Sequence, residues 1–154
     1  MEYLNNKSIL NEHWELINEV ISTGGEFNLV PNGVSMLPLI RPGVDTVVLA
    51  LPNGVKVNDI VLYKRENDKF VLHRVIEIKN DEYIMCGDNQ FRLEYGIKKD
   101  NILAKVVYFE RDGKKIDDSN ERYRKYIKRL PSRRRRLKFR SLLGRIKRKL
   151  IKKK

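Results

Sequence analysis

The sequence predicts a mainly β protein, built as a small, coiled antiparallel sheet or a partly open barrel, with one helix before it and a basic helix after it. The first observation is a series of short runs rich in Val, Ile, Leu, Tyr and Phe between residues 26 and 110, separated by turn residues. The second is a helical spacing of apolar residues over 9–21. The third is a narrow apolar stripe among lysines and arginines over 132–153.

The N-terminal helix is predicted over residues 9–21, because Leu10, Trp14, Ile17 and Ile21 fall on one face at helical spacing. A pair of glycines follows and is expected to end the helix. Only this one helix precedes the β region, whereas a helix-turn-helix DNA-binding domain needs more. We therefore do not expect a DNA-binding domain of that type.

Six strands are predicted from the apolar runs that follow, and turn residues separate them. The strands cover 26–31, 45–50, 59–65, 69–78, 82–86 and 102–110. The turn signals are Arg41-Pro42-Gly43, Pro52-Asn53-Gly54, Glu66-Asn67-Asp68 and Lys79-Asn80-Asp81. Strands at this spacing are typical of a small antiparallel sheet or a partly open barrel.

The positive charge of the chain is concentrated at its C-terminal end. Residues 119–154 hold 18 Lys and Arg against one acid, Glu121, a net charge of +17. Residues 1–118 carry a net charge of −4, and the whole chain +13. We therefore divide the chain into a folded domain, 1–118, and a basic amphipathic tail, 119–154.

The tail is expected to break at Leu130-Pro131 and then to place an apolar stripe on one helical face. The stripe consists of Phe139, Leu142, Leu143, Ile146 and Leu150. Three partners are compatible with it: an anionic membrane surface, nucleic acid bound through phosphates, or solvent around a partly disordered end. The stripe favours lipid, because phosphate binding does not require an apolar face. We expect this segment to be weakly structured in water and helical on anionic vesicles.

Composition excludes several classes of protein. The single cysteine, Cys86, excludes an internal disulfide and fits a reducing compartment. No run approaches about 18 apolar residues, and the N-terminus lacks the pattern of a signal peptide. We therefore expect a cytoplasmic protein, either free or bound to the inner face of the membrane. No metal-ligand spacing, phosphate-binding glycine loop or dinucleotide motif is present, so no cofactor is expected.

Three short segments carry an ordered Ser, His, Asp set that can activate a hydroxyl nucleophile. Ser35 follows a glycine in a turn, His73 stands in an apolar strand, and Asp88 lies in a Gly-Asp-Asn turn. Each also has a structural interpretation, as a turn serine, a buried histidine and a turn aspartate. Arg74, on the other face of the strand, is expected to be structural or to pair with an acid.

The same segments resemble the superfamily that joins type I signal peptidases to self-cleaving repressors. Ser35-Met36-Leu37-Pro38 is similar to its Ser-Met-x-Pro motif, Leu72-His73-Arg74-Val75-Ile76 to its general-base strand, and Gly87-Asp88-Asn89 to its Gly-Asp-Asn box. The resemblance covers roughly residues 26–110. A histidine at the base position resembles the archaeal, endoplasmic-reticulum and sporulation-type signal peptidases, although we expect no membrane anchor like theirs in this chain.

The resemblance implies a signal-peptidase-type fold and a role for each site residue. Ser35 would be the nucleophile, with its backbone N–H as oxyanion donor, and His73 the general base. Asp88 would orient His73, and Glu94 stands six residues later, where histidine-type relatives carry a second acid. Gly33 occupies a position where many signal peptidases place a hydroxyl donor. An unperturbed imidazole predicts that activity rises between about pH 6 and 7.5.

The expected function is that of a serine endopeptidase that cleaves a peptide or protein precursor through an acyl-enzyme. By resemblance, the substrate would bind in extended form along a strand edge. The alternative is a non-catalytic binding module that docks on membrane or nucleic acid through its tail. The glycine at position 33 and the glutamate at position 94 support that alternative. The retained Ser35, His73 and Asp88 argue against it.

Overall fold

The computed structural model describes residues 6–151, with side chains described for residue 10 and for 12–148. Within these residues one antiparallel sheet follows an N-terminal helix and precedes a C-terminal helix along the chain, which confirms the predicted fold class. The helices are α1 (Asn6–Ser22) and α2 (Glu121–Ile151). The strands are β1 (Phe27–Leu29), β2 (Thr46–Ala50), β3 (Ile60–Lys64), β4 (Phe70–Lys79), β5 (Glu82–Cys86), β6 (Glu94–Lys98), β7 (Ile102–Arg111) and β8 (Lys114–Ile116). Their order is β1-β2-β7-β3-β4-β5-β6, and β8 pairs with β7.

Two of these strands, β6 and β8, are absent from the prediction. In β6, Gly96 has a φ of 75° and interrupts the apolar alternation on which the prediction depends. In β8, three residues return from a tight turn at Asp112-Gly113, where φ is 51° and 72°. An Asp-Gly pair with positive φ is a common hairpin turn. That dipeptide was the missed signal for β8.

The sheet packs one cluster of buried residues on each face. The first cluster joins α1, the inner face of β1, β2, β3 and β7, and the first turns of α2, with Leu10, Ile17 and Ile21 as the contribution of α1. The second lies around Val61, Tyr63, Val75 and Met85 on β3, β4 and β5. Because successive strand residues alternate between faces, His73 shares a face with Val75, and its neighbour Arg74 points to the opposite face.

Helix α2 is longer and more closely attached than the sequence indicates. The predicted break at Leu130-Pro131 is wrong, because the helix continues through Pro131 to Ile151. Proline removes one helical hydrogen bond but does not end a helix that is held on both sides. Leu130 is buried just before it, and Arg133 donates a hydrogen bond to the backbone oxygen of Asp88 just after it (3.2 Å). No helix among the described residues is long and apolar enough to cross a membrane.

Candidate active site

Ser35 lies in a short 3-10 helix, Val34–Met36, that connects β1 to β2. Met36 is buried in the first cluster and anchors this turn, whereas Ser35 is partly exposed. The turn packs beside β4, the strand that carries His73. The local sequence thus presents a hydroxyl at the surface, next to the predicted general-base strand.

The turn formed by Gly87, Asp88 and Asn89 is docked directly on the turn of Ser35. The backbone N–H of Asn89 donates to the carbonyl oxygen of Ser35 at 2.8 Å, and its side-chain amide donates to the carbonyl of Val34 at 3.3 Å. A Cβ at position 87 would lie 2.6 Å from the oxygen of Ser35 and 3.0 Å from its Cβ. Only glycine allows the two turns to approach so closely. Residues 35 and 87–89, which are distant in sequence, are therefore joined by hydrogen bonds in one closely packed pair of turns.

Asp88 forms a buried, bidentate ion pair with Arg74, which confirms that Arg74 pairs with an acid. The distances are 2.8 Å from Nε to Oδ1 and 2.7 Å from Nη2 to Oδ2, and both side chains are fully buried. The Tyr126 hydroxyl of α2 donates to Asp88 Oδ2 at 3.1 Å. Burial would lower the pKa of Arg74, but the hydrogen bonds to Asp88 raise it above its ordinary value. Arg74 and Tyr126 thus occupy the carboxylate of Asp88, and the hydrogen bonds of the described residues do not include one between Asp88 and His73.

His73 is connected instead to Tyr63 and Glu94. Its Nδ1 lies 3.1 Å from the hydroxyl oxygen of Tyr63, and that hydroxyl donates to Glu94 Oε2 at 2.9 Å. Glu94 Oε2 is 4.0 Å from His73 Nδ1, and Arg65 Nε donates to Glu94 Oε1 at 2.6 Å. Glu94, at the start of β6, is thus the acid that reaches His73 through Tyr63.

The direction of these hydrogen bonds determines which nitrogen of His73 carries the proton. Tyr63 has one hydroxyl hydrogen, and we assign it to the Glu94 carboxylate, because an ionised carboxylate can only accept. The Tyr63 oxygen then accepts from His73, so Nδ1 bears the hydrogen and Nε2 keeps a lone pair. A neutral imidazole with a free Nε2 is the form that a general base requires.

Burial strongly affects the charge states of His73 and Glu94. It lowers the pKa of His73 from 6.5 to about 4, although Glu94 acts in the opposite direction. Burial also opposes ionisation of Glu94, but hydrogen bonds from Arg65 and Tyr63 outweigh it and hold the pKa of that carboxyl below its usual value. Near neutral pH the site therefore contains a neutral histidine and a charged glutamate. The acidic limb of any His73-dependent activity moves to near pH 4, below the range that an unperturbed imidazole predicts.

An apolar cleft of about 330 Å³ opens beside Ser35. Ser35 and Met36 lie on one wall, and Phe70, Val71 and Leu72 of β4 lie on another; the remaining lining residues are Leu10, Leu29, Pro31, Asn32, Gly33 and Leu62. Two strand edges border this cleft. Among the described residues, strand β1 pairs only with β2, and the first residues of β4 pair only with β3, since β5 pairs with β4 from Arg74 onwards.

The structure brings together most, but not all, of the predicted site. Ser35 and Asp88 share one pair of docked turns, and Glu94 reaches His73 through Tyr63. The hydrogen bonds of the described residues do not include one between Ser35 Oγ and His73, so that contact stays a prediction. Sequence reasoning missed Tyr63, although the predicted hairpin of β3 and β4 would have revealed it: Tyr63 pairs with Val71, two residues from His73 on the same face.

No group of three or more His, Cys, Asp or Glu side chains within the described part of the chain is arranged to hold a metal ion. Comparison of the chain with protein-family models, with curated proteins and with solved structures gives no significant match.

Proposed function

We propose that the protein is a serine endopeptidase that cleaves a peptide or protein precursor, in the manner of the signal-peptidase-like enzymes its motifs resemble. The observation that carries the proposal is the arrangement around β4. A partly exposed serine, held by the Gly87–Asn89 turn, packs beside a strand whose histidine is buried, has a pKa lowered by that burial, and lies within hydrogen-bond distance of Tyr63 through Nδ1. A histidine in this state is suited to remove a proton from a hydroxyl.

In this proposal His73 Nε2 accepts the proton of Ser35 Oγ while Oγ forms a bond to the substrate carbonyl carbon. The backbone N–H of Ser35 stabilises the oxyanion. The protonated histidine then gives its proton to the leaving amine, and the C–N bond breaks to leave an acyl-enzyme. Water, activated by the same imidazole, releases the acid and restores Ser35. Two proton transfers through one nitrogen keep each half-reaction balanced.

Tyr63 and Glu94 act as positioning residues for this chemistry. The Tyr63 oxygen holds the hydrogen of His73 on Nδ1, and the Glu94 charge favours the imidazolium that forms transiently. Arg65 keeps that carboxylate ionised. Asp88 acts through the backbone: its pair with Arg74 fixes the turn that supports Ser35. The acid that serves His73 is then Glu94, and Asp88 is part of the scaffold.

The cleft beside Ser35 suits an extended peptide. The free edges of β1 and of the first half of β4 offer main-chain groups on both sides of a strand laid between them. Leu29, Met36 and Leu72 supply apolar walls for side chains on alternate positions. A folded domain cannot enter such a groove, so the substrate class is an unfolded or flexible segment.

The test is to incubate the full chain with a mixed library of unstructured peptides and to identify new termini by mass spectrometry. The expected result is a consistent set of cleavage sites that disappears in Ser35→Ala and persists in Ser22→Ala, which changes an exposed serine at the end of α1. Capture of an acyl-serine at position 35, trapped at low pH, would identify the nucleophile. Equal cleavage by both variants would reject it.

The second candidate is a peptide-binding module without catalysis, which the glycine at position 33 favours because a hydroxyl donor is missing there. It predicts that peptides protect the cleft in hydrogen exchange but remain intact. The same library distinguishes the two functions: binding without new termini supports the module, and cleavage that depends on Ser35 excludes it.

A further inference from the structure

Helix α2 has an inner face that is bound to the body of the protein. Tyr123 and Leu130 are buried, Tyr126 donates to Asp88, and Arg133 contacts the backbone of Asp88 and the side chain of Asn89. At about 100° per residue these positions lie within one third of the helix circumference. These contacts fix the rotation of α2 about its own axis, so the direction of its other faces relative to the body follows.

The second half of α2 presents an apolar stripe to solvent. Phe139, Leu142, Leu143 and Ile146 are 47% to 60% exposed. They cover an arc of about 100° that is centred roughly 170° from the inner face. Leu150, which the sequence adds to this stripe, has a side chain outside the described part of the structure. The stripe therefore points away from the body, and within the described part of the chain it is left exposed.

Basic side chains border the stripe on both sides. Lys138 and Arg145 lie along one edge, and Arg140 and Lys147 lie along the other; all four are exposed. Long basic side chains in this position place their alkyl parts next to an apolar layer and their charges in the phosphate region. The outer face of the first half of the helix is basic as well, through Arg124, Lys125, Lys128, Arg129, Arg135 and Arg136, all of them exposed.

We propose that the outer face of α2, from Arg124 to Arg148, docks on an anionic lipid bilayer, with the helix lying in the interface and the body on its far side. The charge is complementary to acidic headgroups, since residues 119–154 carry a net +17 and the rest of the chain −4. The stripe selects lipid over nucleic acid, because phosphate contacts leave apolar side chains uncovered.

The experiment is sedimentation of the full chain with vesicles of phosphatidylcholine alone and with added phosphatidylglycerol. Binding is expected only with the anionic vesicles, and it should fall at least about tenfold between 0.1 M and 0.5 M salt. The pair Leu142→Gln and Leu143→Gln should weaken it by about tenfold or more. A matched control is Leu16→Gln, which removes a 62% exposed leucine from α1 and should bind as the wild type does.

Because all three positions are exposed, the variants should unfold at the wild-type urea midpoint, which confirms that only the surface has changed. Equal binding to neutral and anionic vesicles, or no binding to either, overturns the proposal. Wild-type binding by the Leu142 and Leu143 variant overturns it too, because charge alone would then suffice. Salt-sensitive binding to a DNA duplex without vesicle binding would assign the face to nucleic acid. None of these outcomes depends on peptidase activity, so the proposed function is tested separately.

Discussion

Replacing Tyr63 by phenylalanine removes one oxygen from the centre of the candidate site. That oxygen lies 3.1 Å from His73 Nδ1 and 2.9 Å from Glu94 Oε2, and we assign its hydrogen to Glu94, so that it accepts from His73. Glu94 keeps its two hydrogen bonds from Arg65, so its charge remains paired. His73 is buried and loses the acceptor for Nδ1. The cost of the change therefore falls mainly on the histidine.

A buried donor left without a partner costs about 1 to 3 kcal/mol. His73 can avoid this cost by moving its hydrogen to Nε2, but that nitrogen is then no longer a base for Ser35. We expect Tyr63→Phe to lower the free energy of unfolding by about 1 to 2 kcal/mol. We also expect kcat/KM for a library-derived peptide to fall about tenfold to hundredfold, which corresponds to about 1.4 to 2.8 kcal/mol.

Nitrogen NMR of the imidazole gives a readout that does not need a substrate. The chain has two histidines, and His13 is exposed on α1, so His13→Gln assigns the signals. The wild type should show His73 with its hydrogen on Nδ1, and Tyr63→Phe should move population to Nε2–H. Tyr83→Phe, on a ring packed against the same cluster, is the matched control and should leave the tautomer unchanged. An unaltered His73 tautomer in Tyr63→Phe would refute the reasoning.

The remaining predictions concern stability and the approach of the two turns. Asp88→Asn should lower the free energy of unfolding by about 3 to 5 kcal/mol in urea titrations, because it leaves a buried guanidinium without its charge partner. The control Asp112→Asn changes an exposed carboxylate and should cost at most about 1 kcal/mol. Similar small losses in both variants would contradict the buried pair. The pKa of His73 falls on folding from 6.5 to about 4, so the unfolded chain binds the extra proton and the wild type should lose up to about 3 kcal/mol between pH 6.5 and 4 relative to His73→Gln. Parallel pH profiles of the two proteins would rule out that burial. Gly87→Ala should reduce peptide cleavage strongly by displacing the nucleophile turn, while Gly33→Ala, which has open space around it, should retain most activity; equal effects would argue against the close approach.

Much of the architecture could be predicted because it follows from local patterns. Alternating apolar residues and turn residues predict strands wherever the sheet is half-buried, and β3, β4, β5 and β7 lie close to their predicted bounds. Strand β6 was not predicted, because Gly96 and the charged residues at its two ends leave little alternation of apolar and polar residues. The continuity of α2 through Pro131 was not predicted, because a proline weakens a helix locally. Contacts with residues distant in sequence, such as that of Arg133 with Asp88, hold the helix on the far side of the proline.

In the candidate site, the sequence alone determined the inventory: a serine in a glycine-bearing turn, one histidine in a strand, and two acids at defined spacing. Side-chain type and local turn chemistry are enough for that. Only the tertiary structure decided the partners. The register of β3 and β4 places Tyr63 between His73 and Glu94. On the opposite face of β4, Arg74 forms an ion pair with Asp88. The physical reason is that adjacent strand residues point to opposite faces, so two neighbours in sequence, His73 and Arg74, select different acids.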